Sequence, residues 1–407
     1  MLIFNDNVRL IKRDKDIVVA NLDNNKWIKT SRLYYEVLEE EINLNGNIKG
    51  LITYLGNSYK TDNIKKLLKL LIEFDIVKDK SKSIKSEELN IVYLSITNRC
   101  NLNCKHCLTG ANIDNDYGLN TEQIKMIINE VIELNPKMIN FTGGEPLIRE
   151  DIIELIEYTS QRFNGKISLS TNSILLTDEY IKKLTKVLHR IDISLDGYDE
   201  KTCSYIRGEG VFEKVIENVI KIKKTGFNGI SLSMLDSKIT ENEIHKFREL
   251  CADLGVKSLI RRFAAIKRGW NNKEEIIGEN YEKIEFINSK NKLKCKICKP
   301  GQRELMIDSK GDIYPCAMLQ EKQFKIDNML EKKVHLKDII EYFPNSRVSN
   351  IIELNRPYNS ECKDCKVNLF CWSCIGNYLT VKKDKDLFRR SCANKKSSLS
   401  LILWDID

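Results

Sequence analysis

Thirteen cysteines stand in this 407-residue chain, and eleven of them fall into three groups. The tightest group reads Cys100-Asn-Leu-Asn-Cys104-Lys-His106-Cys107. Three soft thiolates this close together suit an iron–sulfur cluster. A four-iron cubane held by three thiolates keeps one iron open for a chelating cofactor. Structural zinc is the competing reading. It uses four ligands, often as two Cys-x2-Cys pairs, and this segment holds one such pair. The second group is Cys295, Cys298 and Cys316, and the third is Cys362, Cys365, Cys371, Cys374 and Cys392. Eight thiolates match two further four-iron clusters with four ligands each. Taken alone, Cys362-x2-Cys365 and Cys371-x2-Cys374 would equally suit zinc. A disulfide framework needs an export route and usually a small domain, and neither is visible. Cys203 and Cys251 stand apart and read as small buried hydrophobes.

The elements that must position these thiolates follow from hydrophobic periodicity. Strand patterns cover Ile91–Thr97, Met138–Thr142, Lys166–Ser170, Arg190–Leu195, Gly229–Met234 and Val256–Phe263. Amphipathic helices begin near Asn120, Asp151, Asp178, Val211 and Glu241 between them. Alternation of this kind calls for a parallel sheet with right-handed crossovers. Six units are fewer than the eight of a closed barrel. The expected class is therefore α/β, a partial (β/α)6 TIM barrel over residues 91–289, with its chemistry at the carboxyl ends of the strands. The cysteine loop follows the first strand and so falls at that end.

Residues 1–79 read differently. Strand-like pieces at Val8–Lys12, Ile17–Asn21 and Trp27–Thr30 precede three helical stretches. These carry Leu33, Val37 and Leu38, then Ile48, Leu51, Ile52 and Leu55, then Ile64, Leu67, Leu68 and Leu71, with Thr61 or Asp62 as a cap for the third. This is a winged-helix-like α+β domain. Residues 80–90 are polar and form a linker. Residues 290–407 lose regular periodicity as cysteines crowd in, so metal sites would hold that segment together as much as a hydrophobic core.

At this point the chain resembles the radical S-adenosylmethionine (SAM) superfamily. The Cys-x3-Cys-x2-Cys loop carries the resemblance, and supporting motifs follow in order. Thr142-Gly143-Gly144-Glu145-Pro146 is like the family's GGEP motif, and Ser170-Thr171-Asn172-Ser173 is like its STNG-type segment. Ser194-Leu195-Asp196-Gly197 is like its SxDG element, with Arg207 downstream. The resemblance implies a SAM cluster on Cys100, Cys104 and Cys107. It implies SAM contacts at His106, Gly143, Gly144, Glu145, Asn172, Ser194, Asp196 and Arg207. For Ser194 and Asp196 ordinary turn chemistry is the alternative. The implied chemistry is reductive cleavage of SAM to a 5′-deoxyadenosyl radical that takes a hydrogen atom from the substrate.

The C-terminal cysteines resemble the SPASM extension of radical SAM enzymes that modify peptides and proteins. Gly311-Asp-Ile-Tyr-Pro-Cys316 and Cys362-x2-Cys365-x5-Cys371-x2-Cys374 carry this resemblance. It implies two auxiliary [4Fe–4S] clusters, three clusters in all. By family order the first takes Cys295, Cys298, Cys316 and Cys374, and the second takes Cys362, Cys365, Cys371 and Cys392. If Cys295 or Cys298 stands outside the set, the first auxiliary cluster has an open iron able to bind a substrate thiolate.

The N-terminal segment resembles the peptide-recognition element, similar to the PQQ-biosynthesis chaperone (PqqD-like), fused to enzymes that tailor ribosomal peptides. There a leader peptide adds as a strand to the small sheet. An ordinary DNA-binding winged helix is the alternative. The third stretch holds Lys65, Lys66 and Lys69, but its leucines dominate. The implied function is a peptide maturase that installs thioether crosslinks from cysteine, of sactipeptide or ranthipeptide type. Carbon–carbon crosslinking and formylglycine formation are alternative enzyme readings, and a cluster-containing DNA-binding regulator is the non-enzyme one. The expected partners are a precursor peptide with its leader on the N-terminal domain and a flavodoxin- or ferredoxin-type electron donor. Lysines interleave with acids throughout, so the net charge of +8 describes a solvated surface and not a nucleic-acid site. No apolar run is long enough to cross a bilayer and no secretory signal is visible, so a cytoplasmic protein with no membrane partner is expected.

Overall fold

The computed structural model describes residues 2–44, 59–80, 89–279, 281, 293–295, 297–331, 335–341, 349–355, 358–371 and 374–405. The expected helix around Ile48–Leu55 and most of the 80–90 linker lie outside these residues.

Six parallel strands form the centre: β6 (Ile91–Ser95), β7 (Met138–Thr142), β8 (Lys166–Thr171), β9 (Arg190–Ser194), β10 (Ile230–Asp236) and β11 (Lys257–Arg262). They lie side by side in chain order, each in parallel register with the next. On the other flank β12 (Glu304–Ile307) runs parallel to β6, and β13 (Asp312–Tyr314) and β14 (Asp327–Asn328) follow antiparallel. The C-terminal segment thus extends the same sheet beyond the six expected strands.

The two faces of this sheet have opposite chemistry because strand side chains alternate. Ile139, Phe141, Ile167, Leu169, Ile191, Ile193 and Leu232 point outward and are buried in one core. Helices α3 (Thr121–Glu133), α4 (Ile152–Ser160), α5 (Asp178–Val187), α7 (Val211–Lys224) and α8 (Ile244–Asp253) cover that face, with α6 (Glu200–Arg207) between β9 and α7. The alternate positions Asn140, Ser170, Asp192, Ser194, Ser231, Ser233 and Arg261 line the concave side. A closed TIM barrel fills its interior with apolar layers. Here the strand interior carries these polar side chains and opens onto a cavity.

Helix starts follow the local chemistry. Asn120 accepts from the Gln123 backbone while the Gln123 side chain accepts from the Asn120 backbone, a capping box that begins α3. Thr177 caps α5 and Asp199 caps α6. Two starts differ from the sequence reading. Helix α8 begins at Ile244, three residues after Glu241. The helix containing Ile64 is α2 (Tyr59–Glu73), which begins before Thr61 and Asp62, so neither is its cap.

At the N-terminus β1 (Leu2–Phe4) pairs with β5 (Val77–Asp79), a two-stranded piece too short for periodicity to reveal. Strands β2 (Val8–Arg13), β3 (Asp16–Asn21) and β4 (Lys26–Ser31) form an antiparallel sheet. Ile17 and Val19 on one face pack on Tyr35, Leu38 and Ile42 of α1 (Arg32–Leu44) and on the leucines of α2. Ile11, Val18, Ala20 and Leu22 pack instead with Val367, Leu369, Phe370, Leu399, Leu403 and Trp404. Both faces of the small sheet are therefore buried, one by its own helices and one by the C-terminal segment. That segment carries α9 (Leu336–Glu341), α10 (Ile375–Val381) and α11 (Lys385–Ser400).

Candidate active site

The cysteine loop leaves the carboxyl end of β6 and is fixed by backbone bonds. Cys100 N–H donates to Asn112 O at 3.0 Å, and Lys105 N–H donates to Ile206 O at 3.0 Å. Arg268 grips the loop from outside, donating to Cys104 O at 3.2 Å and to Ala111 O at 2.7 Å. Arg149, almost wholly buried, donates to Ile96 O and Leu119 O and makes a two-pronged pair with Asp151 at 2.8 and 2.7 Å. That pair ties the end of β6 to the start of α4.

The glycine pair after β7 lies directly on this loop. A Cβ on Gly143 would sit 2.4 Å from Thr97 O, and one on Gly144 would sit 2.2 Å from Arg99 O. Both positions therefore exclude any larger residue. Glu145 is fully buried. It accepts from Thr171 Oγ1 at 2.6 Å, from Asn172 N–H at 2.7 Å and from Leu147 N–H at 3.0 Å. Burial raises its carboxyl above the ordinary range, against the lowering effect of these three donors. Its visible role is to brace the loop against the end of β8.

A buried ionic hub stands opposite. Asp196 follows β9 in a left-handed backbone conformation, φ 59°. Its carboxylate meets Arg207 Nη2 at 2.6 Å, Arg261 Nη2 at 2.9 Å and His106 Nε2 at 3.3 Å. Burial alone would raise the Asp196 carboxyl, but Arg207, Arg261 and His106 together hold it below the usual range. Burial drives His106 down to about 3, so its imidazole is neutral. With Nε2–H facing Asp196, His106 Nδ1 is a buried acceptor without a protein partner. Arg207 Nη1 donates towards Cys104 Sγ at 3.7 Å, which places a guanidinium beside the thiol.

Cys100, Cys104 and Cys107 open with these groups onto one cavity of about 570 Å³. Of the eight expected SAM contacts, His106, Gly143, Gly144, Asn172, Ser194 and Arg207 line it. Glu145 and Asp196 are fully buried behind its wall and act on the lining through their partners. Sequence reasoning missed Arg261. Lys257, Leu259 and Arg261 all line the cavity at the two-residue spacing of an inward strand face, but the charged strand sequence gives no sign of which face turns inward.

The donor set fits an iron–sulfur cluster and SAM. Among the described residues, no three cysteine sulfurs lie within 4.8 Å of one another. Tetrahedral zinc, with Zn–S bonds of about 2.3 Å, would bring them to roughly 3.8 Å. The unpartnered His106 Nδ1, the unpartnered Arg207 Nε and the bare glycine backbone offer an acceptor, a cation and close approach to a polar ligand.

The later cysteines reach the same cavity from β12 and β13. Cys316, Ala317, Met318 and Gln320 line its far wall. Burial pushes the Cys316 thiol well up, with Glu304, Cys374 and Cys298 adding to this, and Cys298 packs against the apolar cluster that holds Cys316. Cys362, Cys365 and Cys371 sit in a chain of tight turns, with Cys365 N–H donating to Cys362 O and Cys371 N–H to Val367 O. Cys392 lies on α11. Cys295 packs in the layer against the N-terminal sheet, a cluster that also holds Cys365 and Cys371. Cys203 and Cys251 are buried as expected, Cys203 donating its S–H to Leu195 O.

This architecture is that of known proteins. The profile of the Radical SAM superfamily matches residues 94–251, and that of the SPASM iron–sulfur cluster-binding domain matches residues 298–366. A GTP 3′,8-cyclase of Clostridium botulinum is 30% identical over 276 residues, 59% of this chain and 85% of the cyclase. Mycofactocin maturase MftC of Mycolicibacterium smegmatis is 26% identical over 259 residues, 58% of this chain and 66% of the maturase. The match thus spans just under two thirds of that relative's length. The crystal structure of Streptococcus suis SuiB bound to precursor peptide SuiA shares the fold, with a TM-score of 0.56 at 17% identity over 95% of this chain and 97% of that one. So does anSMEcpe with bound AdoMet and Cp18Cys peptide, with a TM-score of 0.53 at 16% identity over 79% of this chain and 100% of that one.

The chain belongs to the radical SAM superfamily and is an enzyme of it. A SPASM iron–sulfur domain follows its barrel. No helix among the described residues is long and apolar enough to cross a membrane.

Proposed function

We propose that this enzyme modifies a ribosomally made precursor peptide and installs thioether crosslinks from its cysteines. One observation carries the reading: the Cys100–Cys107 loop and the Cys316 wall face each other across a single cavity. A substrate seated there would touch both cysteine groups. When bound, SAM and the reduced cluster supply a carbon radical for hydrogen abstraction. The chain's residues do the rest. Cys100, Cys104 and Cys107 hold the SAM cluster. Gly143 and Gly144 let the backbone approach the amino end of SAM, and Asn172 and Ser194 line its flank. The neutral His106 presents Nδ1 to an N–H donor such as the adenine amine. Arg207, held by Asp196, offers its cation to the SAM carboxylate. The polar concave face orients the peptide.

Residues 1–79 bind the leader, which adds as a strand at an edge of the β2–β3–β4 sheet. The fold shared with SuiB supports this arrangement, because that likeness runs through the N-terminal segment as well. Residues 290–407 hold the auxiliary clusters, Cys362, Cys365, Cys371 and Cys392 forming the second set. A flavodoxin- or ferredoxin-type protein supplies electrons. Co-expression with a short cysteine-bearing reading frame beside the gene tests the reading by mass spectrometry. A loss of two hydrogens per crosslink is expected, with fragments showing sulfur bonded to carbon. An unmodified peptide, beside an enzyme that cleaves SAM, would contradict it. Carbon–carbon crosslinking would show the same mass with free thiols remaining.

A further inference from the structure

The floor of the cavity carries polar groups that the SAM contacts leave unused. Strand register sets them out. Tyr93 pairs with Asn140, Asn140 with Ser168 and Ser168 with Arg190, one row running from β6 to β9. Asp192, Ser231 and Lys257 form the next row, from β9 to β11. All of these but Ser168 line the cavity. Arg190 opens β9 and Lys257 opens β11, so both lie at the amino ends of their strands. Ser194, at the other end of β9, stands about 13 Å from Arg190 at the rise of a strand.

The two rows differ in what they leave open. Asn140 is satisfied by its neighbours: its Oδ1 accepts from Ser168 Oγ at 2.7 Å and its Nδ2 donates to Ser170 Oγ at 3.1 Å. Arg190 Nε donates to Asp192 Oδ2 at 2.8 Å, and Ser231 Oγ donates to Asp192 Oδ1. Asp192 thus pins the guanidinium by one edge. Among the described residues, nothing accepts from Arg190 Nη1 or Nη2, from the Tyr93 hydroxyl or from Lys257 Nζ. The Tyr93 hydroxyl is pushed up to about 12, chiefly by burial, so it keeps its proton to donate. Arg190, Arg207, Lys257 and Arg261 are the lining cations, against the carboxylates Asp192 and Glu304. Arg207 and Arg261 are engaged by Asp196. Glu304 enters from β12, on the flank of the sheet opposite β11. The groups left open on the floor are therefore donors, and two of them are cationic.

We propose that Tyr93, Arg190 and Lys257 form a carboxylate subsite on the floor of the cavity, which takes the side chain of an aspartate or glutamate in the peptide substrate and so anchors the segment being modified. This rests on the peptide-modifying reading and deepens it. The free edge of the Arg190 guanidinium meets the two carboxylate oxygens with paired N–H donors. Tyr93 donates its hydroxyl to one of them, and Lys257 adds charge from the open end of the sheet. Asp192 acts as the positioning residue for Arg190.

The test is a binding titration on full-length, cluster-loaded protein, kept oxidised and saturated with SAM so that the upper part of the cavity is already filled. The probe is N-acetylaspartate α-methylamide, with N-acetylasparagine methylamide as its neutral twin, followed by saturation-transfer NMR. Saturable binding of the aspartate probe is expected, with the neutral twin about tenfold weaker or more. Arg190→Gln should weaken the aspartate probe by about tenfold or more, the usual loss for hydrogen bonds to a charged group. Lys257→Gln should weaken it by about two- to fivefold, as an exposed cation does. Lys257 sits on an exposed edge strand, so this variant keeps the test valid if Arg190→Gln misfolds. No saturable binding, equal binding of the neutral twin, or undiminished binding in both variants would overturn the subsite. In the co-expressed precursor, Asp→Asn and Glu→Gln changes beside the modified cysteines should cut processing. Undiminished processing, or a modified stretch without an acidic residue, would overturn the assignment to the peptide. The titration needs no turnover, so an unmodified precursor would count against the crosslinking reading alone.

Discussion

Asp196 shows how one side chain can govern a site it does not line. It is fully buried and faces Arg207, Arg261 and His106 at once. Two guanidiniums outweigh the burial penalty, so the carboxylate stays ionised. Asp196→Asn keeps the volume and removes the charge that holds the two arginines together. We expect SAM affinity to fall by about 10–100-fold, the usual cost of losing an orienting partner, with cluster iron unchanged. Equilibrium dialysis with reconstituted protein checks this, and wild-type affinity would show that Arg207 needs no such support. Gly144 is a steric case. A methyl group on its Cα would stand 2.2 Å from Arg99 O, so Gly144→Ala must push the cysteine loop away from β7. Loss of the SAM cluster with retention of auxiliary iron is the expected outcome, read by iron and sulfide analysis.

At the scale of elements, the parallel strands were legible because apolar strand rows alternate with amphipathic helices along the chain. Ile139 and Phe141, or Ile191 and Ile193, carry that pattern without interruption. The cysteine loop and glycine pair were legible because their spacing is dictated by chemistry at the strand ends. Three features were not. The eight-residue α6, which delivers Arg207, is shorter than a helical repeat can reveal. Arg261 stands in a strand that reads as a charged edge, LysSerLeuIleArgArg, and only the fold shows which arginine turns inward. The bracing contacts of Glu145 were the third, its oxygens accepting from Thr171, Asn172 and Leu147. Glu145→Ala would leave these donors unpaired inside the protein. A destabilisation of about 1–3 kcal/mol is expected, seen as a lower Tm of the cluster-loaded enzyme. An unchanged Tm would mean that the brace is dispensable.

The whole molecule is one sheet-based body with its N-terminal module pressed onto the C-terminal segment. Both faces of the β2–β3–β4 sheet are covered, and Trp27 stacks edge-on against Phe370 with ring centroids 4.9 Å apart. The sequence suggested a separate reader of peptides joined by a linker. It could not show this contact, because strand periodicity says which residues are apolar but not what covers them. Removing residues 1–79 would expose Val18's partners Leu369, Phe370, Leu403 and Trp404 to water. The expected result is an aggregation-prone protein that loses auxiliary iron, measured by size-exclusion chromatography and iron content. A soluble, fully loaded fragment would show the two parts to be independent. The central claim, that Cys100, Cys104 and Cys107 form the radical-generating centre, has its own direct measurement. Reconstituted, reduced enzyme is incubated anaerobically with SAM and 5′-deoxyadenosine is quantified. The wild-type protein is expected to give 5′-deoxyadenosine, and Cys100→Ala, whose auxiliary iron remains, is expected to give none. No product from the cluster-loaded wild type, or undiminished product from Cys100→Ala, would contradict it.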